Sequence, residues 1–211
     1  MKRLLGLMAS LFLVGGLPGP AAAQSADLAP DVLVKNVTNE VLDIVRKDKD
    51  IQNGNTKKAI DLVETKVLPY FNFNRMTALA VGKDWRQASP AQQKQLADEF
   101  HTLLVRTYSK ALTEYRSQTI SFKPLKAQAG DTDVTVRSQI NQPGAKAIDL
   151  DYSLEKGDKG WKVYDIAVGG VSLVTNYRSE FAQQISQGGI DGLIKRLQTK
   201  NKSGEASVPS K

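Results

Sequence analysis

IDLDYSLEKGDKGWKVYDIAV, residues 148–168, decides the fold. Ile148, Leu150, Tyr152 and Leu154 alternate with Asp149, Asp151 and Ser153, a period of two that suits a strand and no helix. Lys156-Gly157-Asp158-Lys159-Gly160 is a turn, and Trp161 to Val168 resumes the extended pattern. So short a link makes the two strands antiparallel, and the alternation predicts one packed face and one solvated face. Upstream, Val134, Val136 and Ile140 alternate with Thr135, Arg137 and Gln139, and Asn141-Gln142-Pro143-Gly144 is the turn between these strands. Ile120 to Leu125 supplies a further strand, so a four-stranded or slightly larger antiparallel meander is expected.

Helices flank this meander. Leu33, Val37, Val41, Ile44 and Val45 recur at helical spacing over Asp31–Lys47. After the turn Asn53-Gly54-Asn55, Thr56 is read as the cap of a second helix reaching about Lys66, with Ile60, Val63 and Val67 on one face. Pro69 to Met76 is the most aromatic stretch; Asn74 is read as the cap of a short helix ending at Gly82. Ser89-Pro90-Ala91-Gln92 is a capping box with proline at the first helical position, and it opens the longest helix, to about Arg116. Leu96, Phe100, Leu103, Leu104, Thr107, Tyr108, Ala111 and Tyr115 form its stripe. Beyond Gly169-Gly170, one helix is expected over Val171–Gln187 and a last one over Ile190–Lys200. Helices, then a meander, then helices make a single α+β domain with a helical layer on one face of a curved antiparallel sheet.

The first residues read as an address. Lys2 and Arg3 precede an uncharged apolar run, Leu4–Leu17, and Ala21-Ala22-Ala23 fits a cleavage site before Gln24. Residues 1–23 are therefore expected to be a signal peptide, 24–201 the domain and 202–211 a disordered polar tail. The apolar run is shorter than the roughly 20 residues that span a bilayer. The net charge of +7 falls to +5 without Lys2 and Arg3, and export argues against nucleic acid as a partner. The chain has no cysteine, which excludes disulfides, thiolate chemistry and Cys-ligated metals.

Catalytic signals are weak. His101 is the lone histidine. Gly170-Val171-Ser172-Leu173-Val174 fails as a nucleophile elbow because Val174 stands where the second glycine belongs. Asp149 and Asp151 share one side of a strand, about 7 Å apart, but alternation puts them on the solvated face, and Asp131 and Asp133 read the same way. No phosphate-binding Gly-rich loop and no metal-ligand spacing occur. What remains is apolar surface, which either fills a core or lines a cleft between the layers; periodicity does not distinguish the two.

Three stretches carry a family resemblance. They are Leu68-Pro69-Tyr70-Phe71-Asn72-Phe73 with Met76, Gly82, Trp85 and Ser89–Gln92; Trp161–Ile166 running into Gly170–Val174 and Asn176-Tyr177-Arg178; and Gly189-Ile190-Asp191-Gly192-Leu193. With them the chain resembles the periplasmic phospholipid-shuttle proteins of the Mla (maintenance of lipid asymmetry) pathway, the MlaC or toluene-tolerance (Ttg2D) family. The resemblance implies a nuclear-transport-factor-like fold with an apolar pocket. It implies phospholipid as cargo, with no other cofactor and no catalysis. Its implied partners are an outer-membrane lipoprotein–porin complex and an inner-membrane ABC transporter with a lipid-binding periplasmic ring, met by a monomeric carrier. Two acyl chains hold about 28 methylenes, whose exposure to water costs about 22 kcal/mol at roughly 0.8 each, so a bare lipid does not cross an aqueous space at a useful rate.

On that resemblance, Tyr70, Phe71, Phe73, Met76, Leu79 and Trp85 are expected to form a wall or gate. Phe100, Leu104 and Tyr108 would line the helix side, and Val136, Leu150, Tyr152, Tyr164, Ile166 and Val168 the sheet side, with Val171 and Val174 at one end. Lys83, Arg86 and Arg178 are the cations expected near the lipid phosphate. Two other readings stand beside this one. An enzyme on the same fold would need an inward carboxylate or histidine, and Asp165 is expected to face away from Tyr164 and Ile166. A periplasmic chaperone or adaptor would bind apolar protein segments in the same pocket.

Overall fold

The computed structural model describes residues 28–203. The expected signal peptide, residues 1–23, lies outside them, as do residues 204–211 of the expected tail. Lys202 and Ser203, assigned to that tail from composition, are the last residues of a helix.

Among the described residues, six α-helices precede and follow the sheet. α1 spans Pro30–Lys47, with proline in its first turn and Arg46 and Lys47 in its last. α2, a single turn at Lys49–Gln52, was not evident from periodicity; the Asp48 carboxylate caps it and pairs with Lys58 at 2.7 Å. α3 spans Thr56–Lys66, and its cap is Asn55 rather than Thr56: the Asn55 side-chain Oδ1 accepts the Lys58 N–H at 3.0 Å, while Thr56 is already helical. α4 spans Phe73–Val81, capped by Asn72 rather than Asn74 through the Arg75 N–H. It ends at Gly82, whose φ of +71° suits glycine. α5, Pro90–Thr113, opens with the expected Ser89–Gln92 capping box.

Five strands follow in sequential antiparallel order: β1 Thr119–Phe122, β2 Asp133–Asn141, β3 Ile148–Gly157, β4 Gly160–Val168 and β5 Val171–Ser172. β1 stops short of the expected Leu125, before Pro124, which has no N–H for a ladder. β5 corrects the expected helical start at Val171. Gly169 and Gly170, with φ of +58° and +83°, make a two-residue hairpin turn, and Val171–Ser172 pair back on Ala167–Val168. A 3₁₀ turn at Thr175–Tyr177 then leads into α6, Arg178–Ser203, which kinks at Gly189 where the sequence placed a helix boundary.

The interior is three clusters rather than one. Met76, Leu96, Phe100, Tyr177, Phe181 and Leu197 knit α4, α5 and α6 together. Leu33 and Val34 of α1 cover Val134, Val136, Leu154 and Val163 on the sheet. Val41, Val45, Ile51, Ala59, Leu62 and Tyr115 join α1, α2 and α3 to the end of α5. A cavity lies where these clusters fail to merge.

Candidate functional site

The cavity encloses about 530 Å³, within the range of small-molecule sites. Four walls build it. α1 contributes Leu33, Val34, Val37, Thr38, Val41 and Leu42, and α3 with the chain after it contributes Val63, Val67 and Leu68. The second half of α5 contributes Leu104, Val105, Tyr108, Ser109, Ala111, Leu112, Glu114 and Tyr115. The sheet supplies Ile120, Ile140, Leu150, Tyr152, Val163, Ile166 and Val168, with Leu173 beyond it. Tyr70, Phe71, Phe73 and Met76 close the remaining side.

Few of these groups are polar: Thr38, Ser109, Glu114, Gln118, Gln142 and the tyrosine hydroxyls. Val37, Val67, Leu112, Ile120, Leu150 and Ile166 face inward yet stay half-exposed, because their outer surface meets cavity rather than packed atoms. Ala111, Glu114 and Gln142 are the exposed members and mark the rim. Burial pushes the Tyr152 phenol above its ordinary value, an effect that hydrogen bonding with Thr38 and Ser138 opposes. Burial raises Tyr108 likewise.

The segment before α4 is fixed to the sheet. Phe71 bridges in parallel to Val163, the Asn72 N–H donates to the Val163 carbonyl at 2.8 Å, and the Asn72 amide donates to Glu155 at 2.6 Å. This holds Tyr70, Phe71 and Phe73 against the cavity. Opposite them, β4 carries a bulge: Ser153 pairs with Asp165 but Leu154 pairs with Val163, so Tyr164 is the extra residue. The bulge shifts the alternation by one, and Val163, Ile166 and Val168 therefore share the inward face.

Ten of the residues expected from the resemblance thus meet at one cavity: Tyr70, Phe71, Phe73, Met76, Leu104, Tyr108, Leu150, Tyr152, Ile166 and Val168. The others lie elsewhere. Tyr164 is turned outward by the bulge; its hydroxyl donates to Asp133 at 2.8 Å and its ring sits 3.5 Å from the Arg75 guanidinium, which also pairs with Asp133 and Glu155. Phe100 is sealed among Tyr177 and Phe181, and Val174 is fully buried in the same cluster. Leu79 and Trp85 pack on the outside of that cluster. Val136 is covered within the cluster that α1 makes with the sheet, and Val171 belongs to β5.

The three expected cations are not at the cavity either. Arg178 donates Nε and Nη2 to the Leu79 carbonyl at 3.1 and 2.8 Å, and Lys83 and Arg86 lie exposed on the 3₁₀ turn Gly82–Gln87 before α5. In the other direction, the walls from α1 and α3, with Leu112, Ile120, Ile140, Val163 and Leu173, went unassigned in the sequence. The α1 stripe was legible; what it covered was not.

Asp149 and Asp165 are occupied structurally. Asp149 accepts from Lys123 and Gln139, both at 2.9 Å, and the Lys123 bond above all holds its carboxyl below the usual value. Burial raises Asp165, which accepts the Val174 N–H at 3.3 Å. His101 stacks obliquely on Phe73, with ring centres 4.6 Å apart. No group of His, Cys, Asp or Glu among the described residues is arranged to hold a metal, and no described helix is long and apolar enough to cross a membrane.

The model of the MlaC protein family matches residues 35–199, most of the chain and all of the cavity lining except Leu33 and Val34. The chain belongs to the MlaC family. A solved structure, the phospholipid-binding protein from Ralstonia solanacearum in complex with a phospholipid, is 42% identical, superposes with a TM-score of 0.78, and the match covers 84% of this chain and 99% of that one. The intermembrane phospholipid transport system binding protein MlaC of Haemophilus influenzae is 26% identical over 176 residues, 82% of each chain. The toluene tolerance protein ttg2D of Pseudomonas putida is 25% identical over 163 residues, 77% of this chain and 75% of its own. These are names of lipid-binding, transport and tolerance proteins rather than of enzymes.

Proposed function

We propose that this protein is a periplasmic phospholipid carrier. Freed of residues 1–23, it holds acyl chains in the cavity and passes lipid between an outer-membrane lipoprotein–porin complex and an inner-membrane ABC transporter, so maintaining outer-membrane lipid asymmetry. The observation that carries this reading is an apolar cavity of about 530 Å³ into which Val37, Val67, Leu112, Ile120, Leu150 and Ile166 face while staying half-exposed rather than packed. The Ralstonia relative with its phospholipid supports it.

The energetics suit exchange. Acyl chains leaving a bilayer for this cavity move between two apolar surroundings, so the net transfer free energy is small and both loading and release are accessible. The sequence has no nucleotide-binding loop, and direction is therefore assigned to the partner complexes.

Native mass spectrometry of detergent-free protein, followed by organic extraction, tests the reading. Stoichiometric phospholipid of defined mass is expected. Protein that carries none, and takes none up from vesicles, would remove the carrier; captured peptide in place of lipid would move the cavity to the chaperone reading.

A further inference from the structure

The cavity has an open end and a sealed end, and α5 runs between them. Glu114 at the rim is exposed, its side chain 69% accessible, whereas Leu104 at the other end is 6% exposed. Leu104 and Met76 belong both to the cavity wall and to the sealed cluster of α4, α5 and α6. From Leu104 to Glu114 the helix advances about ten residues, or about 15 Å at 1.5 Å per residue. The hydrocarbon of a bilayer is about 30 Å thick, so one leaflet's share is also about 15 Å.

We propose that Met76 and Leu104 are the floor of an acyl-length ruler: the cavity accepts chains that span one leaflet and discriminates against longer ones. This rests on the carrier reading. The floor is stiff. Phe100, one turn beyond Leu104 on α5, meets Tyr177 and Phe181 edge to face with ring centres 5.1 and 5.2 Å away, and all three rings are essentially inaccessible. Close-packed aromatic interiors do not yield an extra methylene's volume without strain. A longer chain therefore pushes methylenes out past the rim, where Glu114, Gln118 and Gln142 offer polar surroundings. Each methylene forced into water lowers binding about fourfold relative to a bilayer that buries it, the equivalent of about 0.8 kcal/mol.

The test loads purified protein from vesicles holding an equimolar series of saturated diacyl phosphatidylcholines of stepped chain length. Native mass spectrometry gives the bound-to-vesicle ratio for each length. Wild type is expected to show a break, beyond which the ratio falls about fourfold for each added methylene. L104F and M76F are expected to move the break to shorter chains and L104A to longer ones, with folding checked by circular dichroism. A wild-type ratio without a break overturns the ruler, as does a break that stays in place in folded floor variants. Failure of the wild type to take up phosphatidylcholine of any length removes the carrier reading and the ruler with it.

Discussion

The two halves of α5 carry the same kind of apolar stripe and meet different surroundings. Leu96, Phe100 and Leu103 are at most 2% exposed, because Tyr177 of the preceding 3₁₀ turn and Phe181, Leu193 and Leu197 of α6 pack on them. Tyr108 and Leu112 remain half-exposed, because they face the cavity, across from which α1 touches the sheet mainly through Leu33 and Val34. Helix propensity and amphipathicity therefore do not decide whether a stripe becomes core or cavity; the shape of the facing layer does. The first half supplies the stability that lets the second half stay unfilled.

The sharpest way to break this contrast is a matched pair of truncations. F100A is expected to cost about 3–5 kcal/mol, the full loss of packed ring contacts plus a new void, whereas L112A is expected to cost under about 1 kcal/mol. Urea denaturation reads both, and equal losses would mean that the cavity wall is packed as tightly as the core. Next is the kink that brings the second part of α6 onto α5. Gly189 has φ +65° and ψ −170°, a region almost reserved for glycine, while an added Cβ there meets nothing within 4 Å. G189A should cost about 1–3 kcal/mol from backbone strain alone, seen as a lower thermal midpoint; an unchanged midpoint would show that α6 reaches α5 by another path. S89A removes one half of the α5 capping box and should cost about 1 kcal/mol by the same assay, with the cavity left intact.

The smallest effect has the opposite sign. Burial raises the Asp165 carboxyl in the folded state, so folding favours its neutral form. That contribution is complete below the unfolded value of about 3.9 and is lost as pH rises through the higher folded value. D165N, neutral throughout and with a carbonyl oxygen for the Val174 N–H, should raise stability at neutral pH by under about 1 kcal/mol and change little near pH 4. Urea midpoints at the two pH values check the sign; a loss at neutral pH would mean that the carboxylate form is the one the fold prefers.

Period and capping made most of the elements legible in the sequence, and the meander with its helical layer follows from Ile148–Val168 and the α5 capping box. The cavity was half legible. Tyr70, Phe71 and Phe73 could be placed because a family resemblance points to them, but a one-residue bulge at Tyr164 leaves no periodic trace, and it exchanges Val163 for Tyr164 on the inward face. The walls from α1 and α3 were hidden for another reason: a stripe shows that a helix has a buried side and not whether that side meets atoms or space. The expected cations lie away from the cavity because nearness to a motif in sequence says little about position, as Arg178, hydrogen-bonded to Leu79, shows. β5 was read as helix because two residues are too few to establish a period of two.

The central claim is that the cavity, and not the sealed core beside it, holds lipid. Ile166 lines the cavity from the sheet and is half-exposed there, so I166W fills space without displacing packed neighbours. Native mass spectrometry of I166W beside wild type, after equal exposure to phospholipid vesicles, is the most direct test. The account predicts a folded variant with a thermal midpoint close to wild type and no stoichiometric phospholipid. A folded I166W that keeps the full wild-type load would contradict it.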